Sequence, residues 1–378
     1  MRSPTCVFVL TAISGLLGGC RAPQPVPTSQ PASDPMLAVH TLIDAPPDFA
    51  ARRIESGAYP LPPHAKFLAG VTICLDPGHG GDADKRGFKR GPTGVREAEV
   101  DLRVAEYLRE LLTRAGAEVR LTREDDLDLS LEERAAVANA WGADLFIALH
   151  HNAIDNKPQV NHTTIWYHGD VDYRPSDLDL ARYLCQGLYD ELALPEIADV
   201  PLKSDQLMYP SGFGVLRAAE VTAALVETSF FTNPAEEQRL RQPEYNLREA
   251  YGLFLGLAQY AAAGLPRAQL VEPADGIVTI GSAADQAGGA SPRVLVFEID
   301  DGLRGRKSWG WQRQMILTDS LAARVNGVYV PIQFSSADYR LTVTLPADLE
   351  PGEHSVEVQV ENMNKNSVLN PRFTISVR

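Results

Sequence analysis

The sequence has little cysteine, no run of basic residues and no apolar stretch long enough to read as a membrane span. Its 378 residues include 4 cysteines, and 35 Lys and Arg against 49 Asp and Glu give a formal net charge of −14. An acidic chain without a basic run lacks the electrostatic attraction that phosphate backbones and anionic lipid surfaces require, so we expect no nucleic-acid partner. The length and the 44% hydrophobic content instead favour a globular chain of two domains.

The N-terminus has the features of an export signal. Arg2 supplies positive charge, and the apolar run that follows is too short to span a bilayer. The run ends in Leu-Gly-Gly-Cys at 17–20, which resembles a bacterial lipobox, where the signal is cleaved before the Cys. Cys20 would then carry the lipid that anchors the protein to a membrane. An ordinary secretory signal is the alternative, and both predict an extracytoplasmic protein of the cell envelope.

Two cysteines remain for the mature fold, Cys74 and Cys185. Both lie in apolar segments, which predicts two buried free thiols. A disulfide between them stays open at this point, because the sequence cannot place their Cα atoms within bridging distance.

Composition divides the chain into five parts. The signal, residues 1–20, precedes a Pro-rich spacer and irregular lead-in over 21–66. Residues 67–265 repeat a strand, loop and helix pattern, which predicts an α/β fold with a mostly parallel twisted sheet flanked by helices. A Gly- and Ala-rich linker over 266–292 leads into period-two runs over 293–378, which predict a small all-β sandwich, immunoglobulin-like in type.

Hydrophobic periodicity places the elements of the α/β part. A capping box at Ser130 and Glu133 marks the start of the second helix. The predicted strands are 71–75, 118–122, 144–149, 164–167, 213–216 and 222–226, and the predicted helices are 100–115, 130–140, 176–192 and 246–262.

Four short segments carry the residue types of a metal hydrolase: LDPGHGG, GVREAEVDL, FIALHHNA and ALVETSFFTN. His79, His150 and Glu227 each follow a predicted strand, and Glu97 lies just before a helix. Because the carboxyl ends of parallel strands meet at one edge of a sheet, we expect these side chains to converge there. Two imidazoles and a carboxylate form a common catalytic zinc set, and a second carboxylate can serve as the base.

These segments, in this order, resemble the zinc-dependent N-acetylmuramoyl-L-alanine amidase family, over about residues 70–263. The resemblance implies that His79, Glu97 and His150 bind Zn²⁺ and that Glu227 is the catalytic carboxylate. It also implies hydrolysis of the amide bond between N-acetylmuramic acid and L-alanine in peptidoglycan. Two alternatives remain open: a zinc peptidase acting on the peptide stem, and a non-catalytic wall-binding lipoprotein with an amidase-like domain.

Three features near the site can be resolved only by the structure. Glu99 competes with Glu97, and the family pattern favours Glu97. His151 departs from the pattern, since the family usually has a small residue there; neighbouring strand residues face opposite ways, so we expect His151 to line the crevice or to pack. Some family members insert a plugging helix after the second His. Here only about ten residues, 154–162, separate the FIALHHNA segment from the next predicted strand, which is too few for such a plug and predicts an open site.

The predicted β-sandwich contains Trp309 and Trp311 in a Gly-flanked segment. These rings either pack the sandwich, which is the simpler interpretation, or stack on sugar. A protein or glycan partner for this domain is therefore an expectation from fold analogy alone, and we expect the protein to be a monomer.

Overall fold

The structure, a computed structural model, describes residues 59–85, 87–170, 173–192, 194, 200–279, 293–303 and 314–378. All of these residues belong to one structural unit. The predicted signal, the predicted lipid attachment residue Cys20 and the two tryptophans Trp309 and Trp311 lie outside the described residues.

A six-stranded mixed sheet forms the centre of the N-terminal half. The strands are β1 (Thr72–Pro77), β2 (Glu118–Leu121), β3 (Leu145–Asn152), β4 (Thr164–Tyr167), β5 (Leu202–Ser204) and β6 (Thr222–Phe230). Their order in the sheet is β2-β1-β3-β6-β4-β5. Strands β2, β1, β3 and β6 are parallel, and β4 runs antiparallel to β6, which confirms the predicted mostly parallel sheet.

Helices cover both faces of this sheet because its central strands are apolar on both sides. The helices are α1 (Glu97–Arg114), α2 (Leu131–Trp141), α3 (Pro175–Leu192), α4 (Gly214–Ala218), α5 (Pro234–Leu240) and α6 (Pro243–Ala263). In β3, Ile147 and Leu149 pack with α1, α3 and α6, whereas Phe146 and Ala148 pack with α2 and α4. The predicted capping box opens α2, with both of its reciprocal hydrogen bonds.

The prediction of a strand over 213–216 is wrong, because this segment forms α4. A strand would turn the neighbours Val215 and Leu216 to opposite faces, yet both are buried in the same cluster. The Arg217 amide also donates to the Phe213 carbonyl, a helical bond. Several other elements are longer than predicted: among them, α1 begins at Glu97, β3 runs on through His150 to Asn152, and β6 continues to Phe230.

The C-terminal part is β-rich, as predicted, with two sheets around one apolar core. The five-stranded sheet has the order β11-β10-β14-β15-β8, and the four-stranded sheet has the order β12-β13-β9-β7. The strands are β7 (Arg267–Glu272), β8 (Ile277–Val278), β9 (Val294–Asp300), β10 (Ala322–Val325), β11 (Val328–Tyr329), β12 (Ile332–Ser335), β13 (Arg340–Thr344), β14 (Gly352–Gln359) and β15 (Arg372–Val377).

Strands β7 and β8 lie in the stretch that the sequence assigns to a linker, 266–292. They pair with β9 and β15, so this part of the linker belongs to the sheets. The Gly and Pro residues of this stretch are typical of a linker, so its two short strands were not predicted. The limits of the predicted domains otherwise stay a prediction.

The two predicted free thiols are confirmed: Cys74 and Cys185 are both buried and unpaired. Burial raises the pKa of Cys74 to about 12 and that of Cys185 to about 11, which suppresses thiolate formation at neutral pH. Over the ranges that the structure describes, no helix combines the length and the apolarity needed to cross a bilayer.

Candidate metal centre

His79 lies in a tight loop directly after β1. Its φ is +54°, and Gly80 and Gly81 follow with φ of +115° and +63°, so three successive residues adopt a conformation that favours glycine. Gly78 precedes them, and a Cβ there would lie 2.3 Å from His150 Cε1. The loop therefore needs its glycines to bring the two imidazoles together.

Three of the four predicted residues place their ligand atoms in a small triangle. His79 Nε2 lies 2.9 Å from Glu97 Oε1, and His150 Nδ1 lies 3.2 Å from each of them. Donors about 2.0–2.1 Å from a tetrahedral zinc ion lie about 3.3 Å apart, so the observed spacing fits such an ion. Glu97 is 1% exposed, whereas the two imidazole side chains are 19% and 17% exposed, which leaves access from solvent.

The structure distinguishes Glu97 from its competitor Glu99. Glu97 is the first residue of α1 and points at both imidazoles. Glu99 instead accepts a hydrogen bond of 2.9 Å from Arg96, away from the triangle. Of the two, Glu97 alone is placed to bind an ion with the histidines.

Glu227 completes the set of predicted residues. It is paired in register with His150 on the adjacent strand β6, which brings it to the same edge of the sheet. Its Oε2 is buried and has no hydrogen-bond partner among the described residues. Burial raises the pKa of Glu227 to about 8, and the nearby Glu97 and Asp101 add to the rise against the opposing effect of His150.

Asp101 is a further acidic residue at this site, and the sequence analysis did not single it out. In the described part of the chain, its carboxylate groups with His79, Glu97 and His150, with ligand atoms within 4.8 Å of one another. Asp101 is fully buried, and its Oδ2 has no partner within the described ranges. The signal that could have found it is its spacing: one helical turn after Glu97, it lies on the same face of α1.

His151 faces away from the triangle and does not line the crevice. Its Nδ1 lies 2.8 Å from Asp101 Oδ1 and its Nε2 lies 3.2 Å from a carboxylate oxygen of Glu249 on α6. All three side chains are at most 1% exposed. Of the two expected placements, packing is the one observed, but with polar partners: His151 is held between two buried acids.

The electrostatics of the cluster favour a cation. Although burial opposes it, hydrogen bonds from His150 and His79 hold the pKa of Glu97 well below its usual range. The same contact, against the effect of burial, raises the pKa of His150 to about 9. The pKa of Asp101 and that of Glu227 are both raised, chiefly by burial, so these two groups hold their protons more firmly than free carboxyls do. A divalent ion bound at the triangle would favour their ionised forms.

The segment between β3 and β4 contains no helix over 153–163, all of which the structure describes. Residues 155–159 are exposed, whereas Asn161 is buried and accepts a hydrogen bond from the Phe230 amide. The short segment is therefore pinned at its end and forms only turns.

Comparison with known proteins agrees with this geometry. Residues 73–259 match the family model described as N-acetylmuramoyl-L-alanine amidase. The chain is 31% identical over 193 residues to N-acetylmuramoyl-L-alanine amidase LytC of Bacillus subtilis, a match covering 51% of this chain and 36% of LytC. It is 28% identical over 193 residues to the probable cell wall amidase LytH of Staphylococcus epidermidis, covering 51% of this chain and 59% of LytH.

The chain thus spans between about a third and three fifths of the length of these two relatives. Among solved structures, N-acetylmuramoyl-L-alanine amidase AmiC2 of Nostoc punctiforme is similar with 27% identity and a TM-score of 0.44. That match covers 51% of this chain and 98% of AmiC2.

Proposed function

We propose that this protein hydrolyses the amide bond between N-acetylmuramic acid and L-alanine in peptidoglycan, because residues 73–259 match the family model of N-acetylmuramoyl-L-alanine amidases and the chain is similar to such an amidase. His79, Glu97 and His150 hold a zinc ion, and Glu227 is the catalytic carboxylate. The observation that carries this assignment is the donor triangle of 2.9–3.2 Å at the sheet edge, with Glu227 beside it on the adjacent strand.

The donor set fits zinc by its chemistry. Two imidazole nitrogens and one carboxylate oxygen are borderline-soft ligands, and three protein ligands leave a coordination position open. A zinc ion held there would polarise the scissile carbonyl and lower the pKa of a water molecule to about 7. Glu97 can remain ionised for this task, since its pKa lies below the usual range.

Glu227 has the properties of a proton-transfer group. Its Oε2 is buried and free of any hydrogen bond in the described part of the molecule, so it is available to a reactant. Its pKa of about 8 is close to neutral pH, where a group can both accept a proton from attacking water and return it to the leaving amine. Glu227 lies beside His150 on the adjacent strand, but its carboxylate is not one of the three ligand groups of the triangle.

The decisive experiment is digestion of purified peptidoglycan, with the products identified by mass spectrometry. We expect intact stem peptides that begin with L-alanine, and glycan strands freed of peptide. A chelator should abolish the reaction and zinc should restore it. The Glu97→Gln variant should lose bound zinc and activity, whereas the matched Glu99→Gln variant should keep both, because Glu99 pairs with Arg96 instead.

The other outcomes separate the alternatives. Shortened stem peptides on intact glycan would assign the enzyme to the stem peptidases and contradict the proposed bond. Zinc binding without any cleavage would favour a wall-binding role. Cleavage that ignores both the chelator and Glu97→Gln would exclude the proposed zinc mechanism.

The similarity to a probable cell wall amidase supports an extracytoplasmic location for this protein. We further propose that Cys20 carries a lipid that anchors the protein in the envelope, supported by the Leu-Gly-Gly-Cys sequence at 17–20. Metabolic labelling with a fatty-acid analogue should mark the wild-type protein and not Cys20→Ser. Labelling of both would contradict the anchor at this residue.

A further inference from the structure

Two buried arginines hold the backbone of the His79 loop. Arg123 lies just after β2 and Arg134 lies in the first turn of α2, and they are 2% and 4% exposed. Arg123 Nε donates to the Pro77 carbonyl at 2.9 Å and one terminal nitrogen donates to Gly78 at 2.6 Å. Arg134 donates to the Pro77 carbonyl at 2.9 Å and to the His79 carbonyl at 2.6 Å.

Every carbonyl from Pro77 to His79 therefore accepts from a guanidinium group. Charge-assisted bonds of this kind are about twice as strong as neutral ones, and a buried cation without partners is costly, so the arrangement is rigid. Arg134 gains a further anchor from the Asp76 carboxylate, at 2.9 Å.

Arg123 also reaches the second ligand segment. The terminal nitrogen that bonds Gly78 donates to the Ala98 carbonyl as well, at 2.8 Å, next to Glu97 in the first turn of α1. One guanidinium group thus joins the loop that carries His79 to the helix that carries Glu97. The Gly78 amide in turn donates to the Leu149 carbonyl, at 2.9 Å, next to His150.

The loop needs such support. His79 is not a glycine, yet its φ is +54°, a conformation that costs a non-glycine residue about 1 kcal/mol or more. Nothing in the loop's own sequence would hold His79 in this conformation. The bonds to its carbonyl and to the two carbonyls before it supply that constraint.

We propose that Arg123 and Arg134 are positioning residues of the metal site, which fix His79 relative to Glu97 and His150 before the ion binds. This inference rests on the proposed zinc site. Neither arginine touches the donor triangle; each acts through backbone carbonyls. Outer residues that orient ligands in this way typically change metal affinity by 10–100-fold when they are replaced.

The test uses Arg123→Lys and Arg134→Lys, because lysine keeps the charge but cannot bond several carbonyls with a planar fork. Arg120→Lys is the matched control: Arg120 lies on β2, is exposed, and its guanidinium group stacks on Trp141 at 4.3 Å. Zinc affinity is measured by competition with a chromophoric chelator, and thermal unfolding is followed with and without zinc.

We expect Arg123→Lys and Arg134→Lys to bind zinc 10–100-fold more weakly than the wild type, and Arg120→Lys to bind zinc as tightly as the wild type. The rise in melting temperature that zinc produces should also shrink in the two variants. A purely structural role would lower the melting temperature of the metal-free and zinc-bound forms alike and leave that rise unchanged, which would overturn the proposal.

The outcomes also separate this inference from the proposed function. A wild-type protein that binds no zinc would refute the metal site itself. The wild type could instead bind zinc and cleave peptidoglycan, while the zinc affinity of Arg123→Lys and Arg134→Lys stays within twofold of the wild-type value. That result would refute only the role of the two arginines. Should Arg123→Lys fail to fold, Arg134→Lys decides alone, since it bonds two of the same three carbonyls.

Discussion

Two buried polar clusters among the described residues differ in how fully their hydrogen bonds are made. At the junction with the β-rich part, Asn362 donates to the carbonyls of Ala263 and Asp301 and accepts from the amides of Asn364 and Asn366. At the candidate metal centre, one carboxylate oxygen each of Glu97, Asp101 and Glu227 is buried without a hydrogen-bond partner among the described residues, although Lys89 Nζ lies 3.7 Å from Glu97 Oε2. The first cluster is satisfied within the chain, and the second has capacity left for an ion, water or substrate.

This difference indicates what each cluster does. A buried polar group with all its bonds made contributes rigidity, and a buried group left without them costs free energy unless a ligand supplies them. We therefore expect substitutions at the junction to change stability and substitutions at the metal centre to change activity. Each of the following experiments is designed to test that separation.

The largest effect is expected for Glu227→Gln. The amide cannot transfer the proton, so the rate of peptidoglycan cleavage should fall by about 10²–10⁴-fold. The melting temperature of the metal-free protein should stay nearly the same, because the amide has almost the shape of the buried carboxyl, whose Oε2 makes no hydrogen bond with the described residues. Glu220→Gln, at an exposed position just before β6, is the matched control and should leave both properties unchanged.

A clear drop in the melting temperature of Glu227→Gln would break the comparison, since it would give the metal centre a structural role. Full activity of this variant would remove Glu227 from the mechanism.

The second effect concerns the junction. Asn362→Ala should lower the free energy of unfolding by about 3 kcal/mol, because it removes the Asn362 donor from the Asp301 carbonyl and the Asn362 acceptor from the buried Asn366 amide. Its zinc affinity and its rate per folded molecule should match the wild type. The control Asn364→Ala removes one bond at an exposed position, to the Ala263 carbonyl, and should cost less than about 1 kcal/mol by urea unfolding.

Loss of zinc binding in Asn362→Ala, under conditions where the protein is folded, would show that the two clusters are coupled. Stability and zinc binding would then not be assigned to separate clusters.

The same contrast explains what the sequence could reveal. Strand β3 was predictable because residues 145–149 are all apolar. The site residues were predictable because each lies beside a recognisable element: His79, Glu97, His150 and Glu227. The contacts of His151 were not predictable, since its partner Glu249 lies 98 residues further along the chain on α6. Periodicity describes a segment's own faces and carries no information on which distant segment packs there.

The failures have the same origin. The segment of α4 is too short to display a helical period, so its two apolar neighbours resembled a strand. The start of α1 was placed late because Glu97 is a buried acid, and a pattern based on apolar residues does not count it. Buried acids depart from local rules where the protein holds charge for a purpose, and here they lie at the proposed metal site.

The smallest effect is expected in the exposed segment between β3 and β4. Deleting 156–158 shortens a stretch that contains only exposed residues and leaves the buried Asn161 in place. If the crevice is open, as the absence of a helix over 153–163 indicates, cleavage should change by less than about twofold, since no blocking element is removed. Initial rates on purified peptidoglycan, per mole of bound zinc, provide the measurement. A many-fold increase would mean that this segment restrains the site, and that substrate access as well as the unpaired carboxylates sets the activity.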